Sequence, residues 1–595
     1  ANTTLTRRCS SPPYPGLENL KEMVELDSTA TAVVTAGVAL ACVAAHLLLR
    51  YFSTDRPKDG ARALPPSAPG RIPVLGHALA YRSRAATFLT EQHVRFGAFS
   101  LNLAGFQTVV VSDPEAVRQV VNAPESILSE REAVGDFGFM EALGELCVYV
   151  AVGAHKRILR GVLHPLSTDL RRPLVECAQR AVAAVMPLPA ATVDAIPTFR
   201  RIMLHFTIDF AVSPSLLKFY PTFMDEYIHF QDRLEDAIAA TAVLPKAVAR
   251  ALKLTPVRKL REALTAKLAT AIERVWATVD GDEGSEETEA GWVDLSHESK
   301  EGSAMEGQRA GVWLSELRNA DLSELPGWEE YAQRCDAGDG AVTPFVAAQI
   351  IISLLFAAHK NPAIGAAQTL LLLLEHPTHL HTVETELDGL ALDSAKLAKF
   401  EGAGEVLSDG ARDARDAALA DVLSAPGTLE DSLPHLANSI SEACRLTAHT
   451  LCAIRKVMAP DGFQLSTSSH DKYWVPSGTY IAVSHLAVSM DSRVFAQATG
   501  FHPCRYNEDG GDSGGRGLIP HCKYTEYEYT AFSQGLHRCP GQLLAMSMMK
   551  VVLAVMLDKF KVEKATDHFP DIDFTRATLG QRAGPCMLNC TLRRR

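Results

Sequence analysis

Phe532-Ser533-Gln534-Gly535-Leu536-His537-Arg538-Cys539-Pro540-Gly541 is the stretch on which the reading of this chain turns. It is a glycine-rich loop that presents one cysteine directly ahead of a long apolar helix, QLLAMSMMKVVLAVML. A thiol just before a helix N-terminus meets unpaired N–H groups and the positive end of the helix dipole, which favours thiolate. Gly535 and Gly541 allow a positive φ or a close backbone approach to a flat ligand. His537 and Arg538 offer donors to anionic groups beside the loop. Taken alone, the segment also suits a buried structural cysteine at the end of a core helix. Zinc needs several Cys or His at close spacing, and His521-Cys522 stand too far away in sequence to supply them.

Working outward, composition excludes several classes. The 595 residues include 58 Lys plus Arg against 70 Asp plus Glu, a formal charge of −12. Such a chain lacks the basic surface that general nucleic-acid binding requires, so no nucleic-acid partner is expected. Twelve Cys are too sparse for a disulfide scaffold, and 39 Gly with 32 Pro are too few for a low-complexity chain. A prior of roughly 100–200 residues per domain suggests several domains, although single folds can run longer. A large enzyme, a membrane-anchored protein or a binding protein all remain open.

The run Thr29 to Leu49 (TATAVVTAGVALACVAAHLLL) contains no Asp, Glu, Lys or Arg. As a helix it reaches about 30 Å, the thickness of a bilayer core. Glu18, Glu22, Glu25 and Asp27 precede it, and Arg50, Arg56, Lys58 and Arg62 follow it. This asymmetry predicts a lumenal tail over 1–28, a single anchor over 29–50 and a cytoplasmic remainder. The run is too long for an ordinary signal peptide and lacks the basic segment before it. Prolines 57, 65, 66, 69 and 73 make 51–76 a stiff connector.

Beyond the connector, 77–595 reads as one large helix-rich domain with a minor β part. Phe96 to Val117 predicts a β-hairpin broken at Ala104-Gly105, then a helix after Asp113-Pro114. Residues 165–278 are mostly helical in pattern, and long apolar helices are expected over Thr343–His376 and Gly541–Lys559. A shorter helix is expected over Leu436–Arg445, and short strands near Tyr480–Leu486. Polar insertions near 280–340 and 400–430 read as solvated. Asp280 to Glu289 carries a dense acidic run, so the net charge is largely a loop property.

The cysteine segment resembles the haem-binding loop of the cytochrome P-450 superfamily, Phe-x-x-Gly-x-(Arg/His)-x-Cys-x-Gly. Phe532, Gly535, His537, Cys539 and Gly541 meet every fixed position. Glu442-Ala-Cys-Arg445 and Phe501-His-Pro503-Cys-Arg505-Tyr506 resemble two further family segments, in the expected order. The resemblance implies the P-450 fold, with haem ligated by the Cys539 thiolate. It also implies a buried ionic network of Glu442, Arg445 and Arg505 behind the loop. Haem propionates are expected near His537 and Arg455, with Arg157, Lys156 or Arg160 also in range. The Trp of the usual Trp-x-x-x-Arg signature is replaced by Gly153, ahead of Arg157.

The sharpest departure lies in the long apolar helix. The family's oxygen-activating stretch, Ala-(Ala/Gly)-x-(Asp/Glu)-Thr-Thr, aligns with Ala357-Ala358-His359-Lys360-Asn361-Pro362. The acid becomes Lys360 and the alcohol Asn361. Asn361 exchanges hydrogen bonds but does not readily supply a proton. Water, a substrate hydroxyl or His359 is left to substitute, and Ala358 keeps the backbone close to haem and substrate. His359 also reads simply as a satisfied polar residue, and Lys360 as a solvent-facing charge. Pro362 predicts a kink. Asn at this position resembles sterol and bile-acid hydroxylases and prostacyclin synthase. The segment Arg445-Leu-Thr-Ala-His449 through Val457, with the Cys loop, resembles sterol 14α-demethylases.

The resemblance therefore implies an endoplasmic-reticulum membrane monooxygenase that takes a sterol-like lipid. Its electrons would come from a separate NADPH-dependent flavoprotein reductase. A same-fold isomerase or lyase acting on a lipid hydroperoxide is the alternative, with a non-catalytic haem- or sterol-binding protein as a third.

Overall fold

The structure is a computed structural model. It describes residues 64–73, 76–103, 106–158, 164–167, 169–241, 246–280, 312–335, 338–401, 406–507, 524, 527–574 and 579–594. The tail, the 29–50 anchor, most of the connector and the acidic run all lie outside these residues.

The hairpin forms as its alternating pattern predicts. Ala98–Leu103 pairs antiparallel with Phe106–Val111, from Ala98 opposite Val111 to Leu103 opposite Phe106. Phe106–Val111 then pairs in parallel with Tyr480–Val483, which pairs antiparallel with Cys452–Val457. Leu128–Ser129 closes the far edge of this five-stranded sheet. The helix after it, Pro114–Val121, starts where Pro114 fixes φ, and the Asp113 side chain accepts from the N–H groups of Glu115 and Ala116. A second sheet places Met587–Leu592 between Ala190–Asp194 and Phe560–Lys564.

Most of the mass is helical and surrounds a buried helix, Lys360–Glu375, from Pro362 to Leu374 without an exposed residue. Against it pack Ala195–Ala211, Pro434–Leu446 and Gln542–Lys559. All four contribute Leu, Ile, Val, Ala or Met to one continuous core. Each large apolar side chain so buried contributes roughly 1.5–3 kcal/mol. Pro344–Glu375 is apolar and long enough to cross a membrane, but most of it is buried inside the protein, where it forms the core.

Three expectations change, the first being that the 280–340 insertion is not solvated throughout: Leu314, Leu317, Leu322 and Trp328 are buried in the core. The Thr343–His376 helix is two helices, Pro344–Ala358 and Lys360–Glu375, broken at His359 rather than at Pro362. Proline lacks the N–H that would reach the carbonyl of Ala358 and its ring crowds that group, so the break falls one turn ahead of it. The stretch near 400–430 holds a helix, Asp409–Ser424, that buries Ala418, Leu419, Ala420 and Leu423. Its Arg415 is 4% exposed and bridges Glu401 and Asp558.

Candidate active site

The helix Pro434–Leu446 brings Glu442 and Arg445 to one face, as their i, i+3 spacing requires. Both side chains are fully buried. Arg445 donates to Glu442 through Nε at 2.9 Å and Nη2 at 2.7 Å. The turn Pro503–Tyr506 adds Arg505 Nε to Glu442 Oε1 at 3.0 Å and the Tyr506 hydroxyl to Oε2 at 3.0 Å. The backbone N–H of His502 donates to Oε1 at 3.0 Å. Burial alone would raise the pKa of Glu442, but the two guanidiniums and the His502 N–H outweigh it and hold the carboxyl below its usual range. Arg445 Nη1 also donates to the carbonyls of Ser489 and Ala498, both at 2.6 Å, and so staples the segment ahead of the cysteine loop. Tyr506 is a member of this group that sequence reasoning quoted but gave no role.

The cysteine loop turns through a single 3-10 turn, Gly535–His537. Gly535 has φ +68°, and a Cβ there would lie 2.6 Å from the carbonyl oxygen of Val121, so glycine is required on both counts. Gly541, with φ −91°, needs no such freedom and instead precedes the helix Gln542–Lys559. The N–H of Cys539 donates to the Phe532 carbonyl at 2.9 Å, and Phe532 packs on the core. Burial pushes the Cys539 thiol up, and the Gly541 N–H only partly offsets this. The helix terminus alone does not secure thiolate here; a bound cation deprotonates a coordinating thiol outright.

Beside the loop stands a group of charges fit for carboxylates. His537 Nδ1 lies 2.7 Å from Glu130 Oε2, and Arg455 Nη2 lies 3.5 Å from the same oxygen. Burial would raise the pKa of Glu130, but His537, Arg455 and Lys156 hold it down. Arg455 is 1% exposed and its Nε has no partner, and buried Nδ1 of His485 and Oγ of Thr530 and Ser533 are likewise unpartnered. Buried polar atoms are nearly always bonded, so the unpartnered Arg455 Nε beside His537 and Glu130 leaves a donor for a ligand. The residues fit haem: Cys539 for iron, and Arg455, His537 and Lys156 for propionates. Arg157 does not join them. It is exposed and pairs with Glu324 at 2.6 Å, because its position on Val152–Ile158 turns it from Glu130, while neighbouring Lys156 acts on Glu130. Arg538 turns to Gln542. Nothing in the sequence singled out Glu130, since its partners Arg455 and His537 lie hundreds of residues away.

At the helix break, Ala357 is exposed and Ala358 half-buried amid a buried helix. His359 is fully buried, its Nδ1 bonds the Leu355 carbonyl at 2.9 Å, and its Nε2 has no partner. Burial lowers its pKa to about 3, so it stays neutral and Nε2 is an acceptor. Asn361 Oδ1 is a second buried acceptor without a partner. Lys360 does not face solvent: it is 4% exposed, with Nζ 2.5 Å from Glu235 Oε1 and 3.7 Å from Asp232 on the helix Phe223–Thr241. A separate cavity of about 1120 Å³ is lined by Phe88, Glu91, Leu372, Leu446 and Ile572, with no residue of the loop or the break.

A match to a known family falls on this region. The family described as Cytochrome P450 matches residues 421–589, which contain the Glu442 hub and the cysteine loop. The carotene epsilon-monooxygenase of Arabidopsis thaliana is 23% identical over 77% of this chain and 73% of its own length. The lanosterol 14-alpha demethylase of Candida tropicalis is 28% identical over 25% of this chain and 29% of its own length. The cytochrome P450 monooxygenase avaH of Aspergillus versicolor is 33% identical over 18% of this chain and 23% of its own length. This chain thus spans less than a third of the two fungal relatives. The family is haem-thiolate, with iron protoporphyrin IX as cofactor. The matched segment holds the five-bonded Glu442 and the cysteine loop, and over these residues the chain is similar to the cytochrome P450 family.

Proposed function

We propose that this protein is a haem-thiolate monooxygenase acting on a sterol-like or other large lipid, fed by a separate NADPH-dependent flavoprotein reductase. The observation that carries the reading is the cysteine loop beside Arg455, whose Nε is buried and unpartnered. When bound, haem supplies the oxidising chemistry by activating dioxygen. The chain's own residues do the rest. Cys539 holds the iron, and Arg455, His537 and Lys156 take the propionates. Glu442, Arg445 and Arg505 keep the loop in shape from behind. Ala357 and Ala358 leave room at the helix break. Asn361 Oδ1 and His359 Nε2 accept hydrogen bonds from a water or a substrate hydroxyl, which then relays the proton neither side chain can give. The sterol-like substrate is supported by the resemblance at Arg445–Val457 and by the Candida relative's name. The apolar 29–50 run supports an endoplasmic-reticulum anchor with a cytoplasmic catalytic part.

A second reading is favoured by Lys360. Lys360 turns to Glu235, and the break His359–Asn361 carries no acid of its own, which suits an isomerase or lyase of a lipid hydroperoxide. The reduced carbon-monoxide difference spectrum tests the common ground: a thiolate-type band is expected, lost in Cys539→Ser. Haem incorporation indifferent to that substitution refutes it. Product formed with reductase, NADPH and dioxygen supports the first reading. Product from a lipid hydroperoxide alone supports the second, and a substrate-induced spectral shift without product overturns both. Asn361→Thr should change the coupling of electron use to product.

A further inference from the structure

A cluster of metal-ligating side chains lies apart from the haem site. His379 sits on the helix Pro377–Asp393, His435 on Pro434–Leu446 and Cys504 in the turn Pro503–Tyr506. One donor atom from each lies within 4.8 Å of the other two. His379 Nδ1 and His435 Nε2 are 3.2 Å apart, close to the separation of two imidazole nitrogens at about 2.0–2.1 Å on a tetrahedral zinc.

The three donors are held in place by bonds that do not involve them. Glu386, two turns along from His379, accepts from the backbone N–H groups of His435 at 2.6 Å and Leu436 at 3.1 Å. This fixes the two histidine-bearing helices against each other. Arg505 and Tyr506 directly follow Cys504 and bond to Glu442, and Asn507 bonds Asn438 at 2.6 Å. Those bonds fix the turn to the His435 helix. Phe501 stands edge-on to the His379 ring at 5.7 Å and backs it. A site whose ligands are set before the ion arrives loses little order on binding it.

We propose that His379, His435 and Cys504 form a site for a thiophilic divalent cation, Zn2+ first, which clamps the Pro503–Tyr506 turn to both helices. Two nitrogens and one sulfur are a donor set that selects such ions over Mg2+ or Ca2+. Cys504 gives its thiol proton to solvent on binding and no electron is transferred. Three protein ligands leave a fourth position for water. His435 is buried, His379 half-buried and Cys504 exposed, so the ion has a path of entry.

The test uses the full-length haem-loaded protein with Zn2+ alone. One equivalent beyond the haem iron is expected, with zinc-edge X-ray absorption showing one sulfur at about 2.3 Å and nitrogens at about 2.0–2.1 Å. Zn2+ should slow alkylation of Cys504 while leaving the exposed Cys335 unchanged. Cys504→Ser and His379→Gln should each weaken binding at least about 100-fold while keeping the haem spectrum. A zinc coordination shell without sulfur, or full affinity in either variant, would overturn the proposal. Uptake of no zinc by a protein with an intact haem spectrum would overturn it as well, and leaves the haem assignment standing.

Discussion

Restoring the family's acid at position 360 should damage this protein rather than improve it. Lys360 is 4% exposed and faces Glu235 at 2.5 Å and Asp232 at 3.7 Å, with Arg200 bonded to Asp232 behind them. Removing one partner of a buried pair costs about 3–5 kcal/mol. Glu235 keeps about a fifth of its surface in water, so Lys360→Met should cost about 2–3 kcal/mol, with little pH dependence. Lys360→Glu adds a carboxylate about 4 Å from two others, a repulsion of about 4 kcal/mol per pair at an effective dielectric near 20. That repulsion raises the new group's folded pKa well above the ordinary carboxylate range. A group raised on folding contributes stability that is present at low pH and is lost as pH rises through the folded value. Urea midpoints at pH 8 and pH 5.5 read this directly. Lys360→Glu should be the least stable at pH 8 and converge on Lys360→Met at pH 5.5. Equal midpoints for Lys360→Glu and the wild type at pH 8, or no pH dependence of their difference, would refute the placement of Lys360 against Glu235.

Gly535→Ala forces a Cβ to 2.6 Å from the Val121 carbonyl at φ +68°, a strain of about 1–3 kcal/mol before any shift, and should increase haem loss on gel filtration. Arg455→Leu removes a charged donor from the propionate group and should raise the haem dissociation constant by about 10- to 150-fold, read by transfer of haem to an acceptor protein. Arg415→Met leaves Glu401 and Asp558 facing each other and should cost about 3–5 kcal/mol in urea unfolding without altering the haem spectrum. Asp491 is pushed up by burial but held far below the usual carboxylate range by His93 and Arg493. Its contribution is present above about pH 4 and is lost as pH falls further, so Asp491→Asn should lower stability at pH 7 and flatten the acid limb below pH 4.

What was legible in the sequence was local. The cysteine loop, the Asp113-Pro114 helix start and the Glu442–Arg445 spacing each depend on neighbours within a turn or two, and each takes the local form its pattern predicts. The helix break was legible in kind but not in position, since proline acts on the carbonyl one turn before it. Lys360 read as a solvated charge because its partners, Asp232 and Glu235, belong to a helix far back in the chain. Arg157 followed from a signature whose tryptophan is missing here. The Asp409–Ser424 helix was obscured by Ala, Asp and Gly, residues that look exposed until Glu401 and Asp558 close on Arg415. The His379–His435–Cys504 group left no trace at all, because three elements must converge to make it.

The three-stranded sheet has a consequence for how the protein is made. Its middle strand is Met587–Leu592, while one outer strand is Ala190–Asp194. Asp194 pairs with Met587 far along the chain, so the early strand keeps an open edge until the segment at Met587–Leu592 has been made. Both outer strands wait for one late segment, which closes a very long loop and slows the last step of assembly. A ribosome that stalls before residue 587 therefore releases a chain with two unpaired strand edges, the kind of surface that recruits chaperones or other copies of itself.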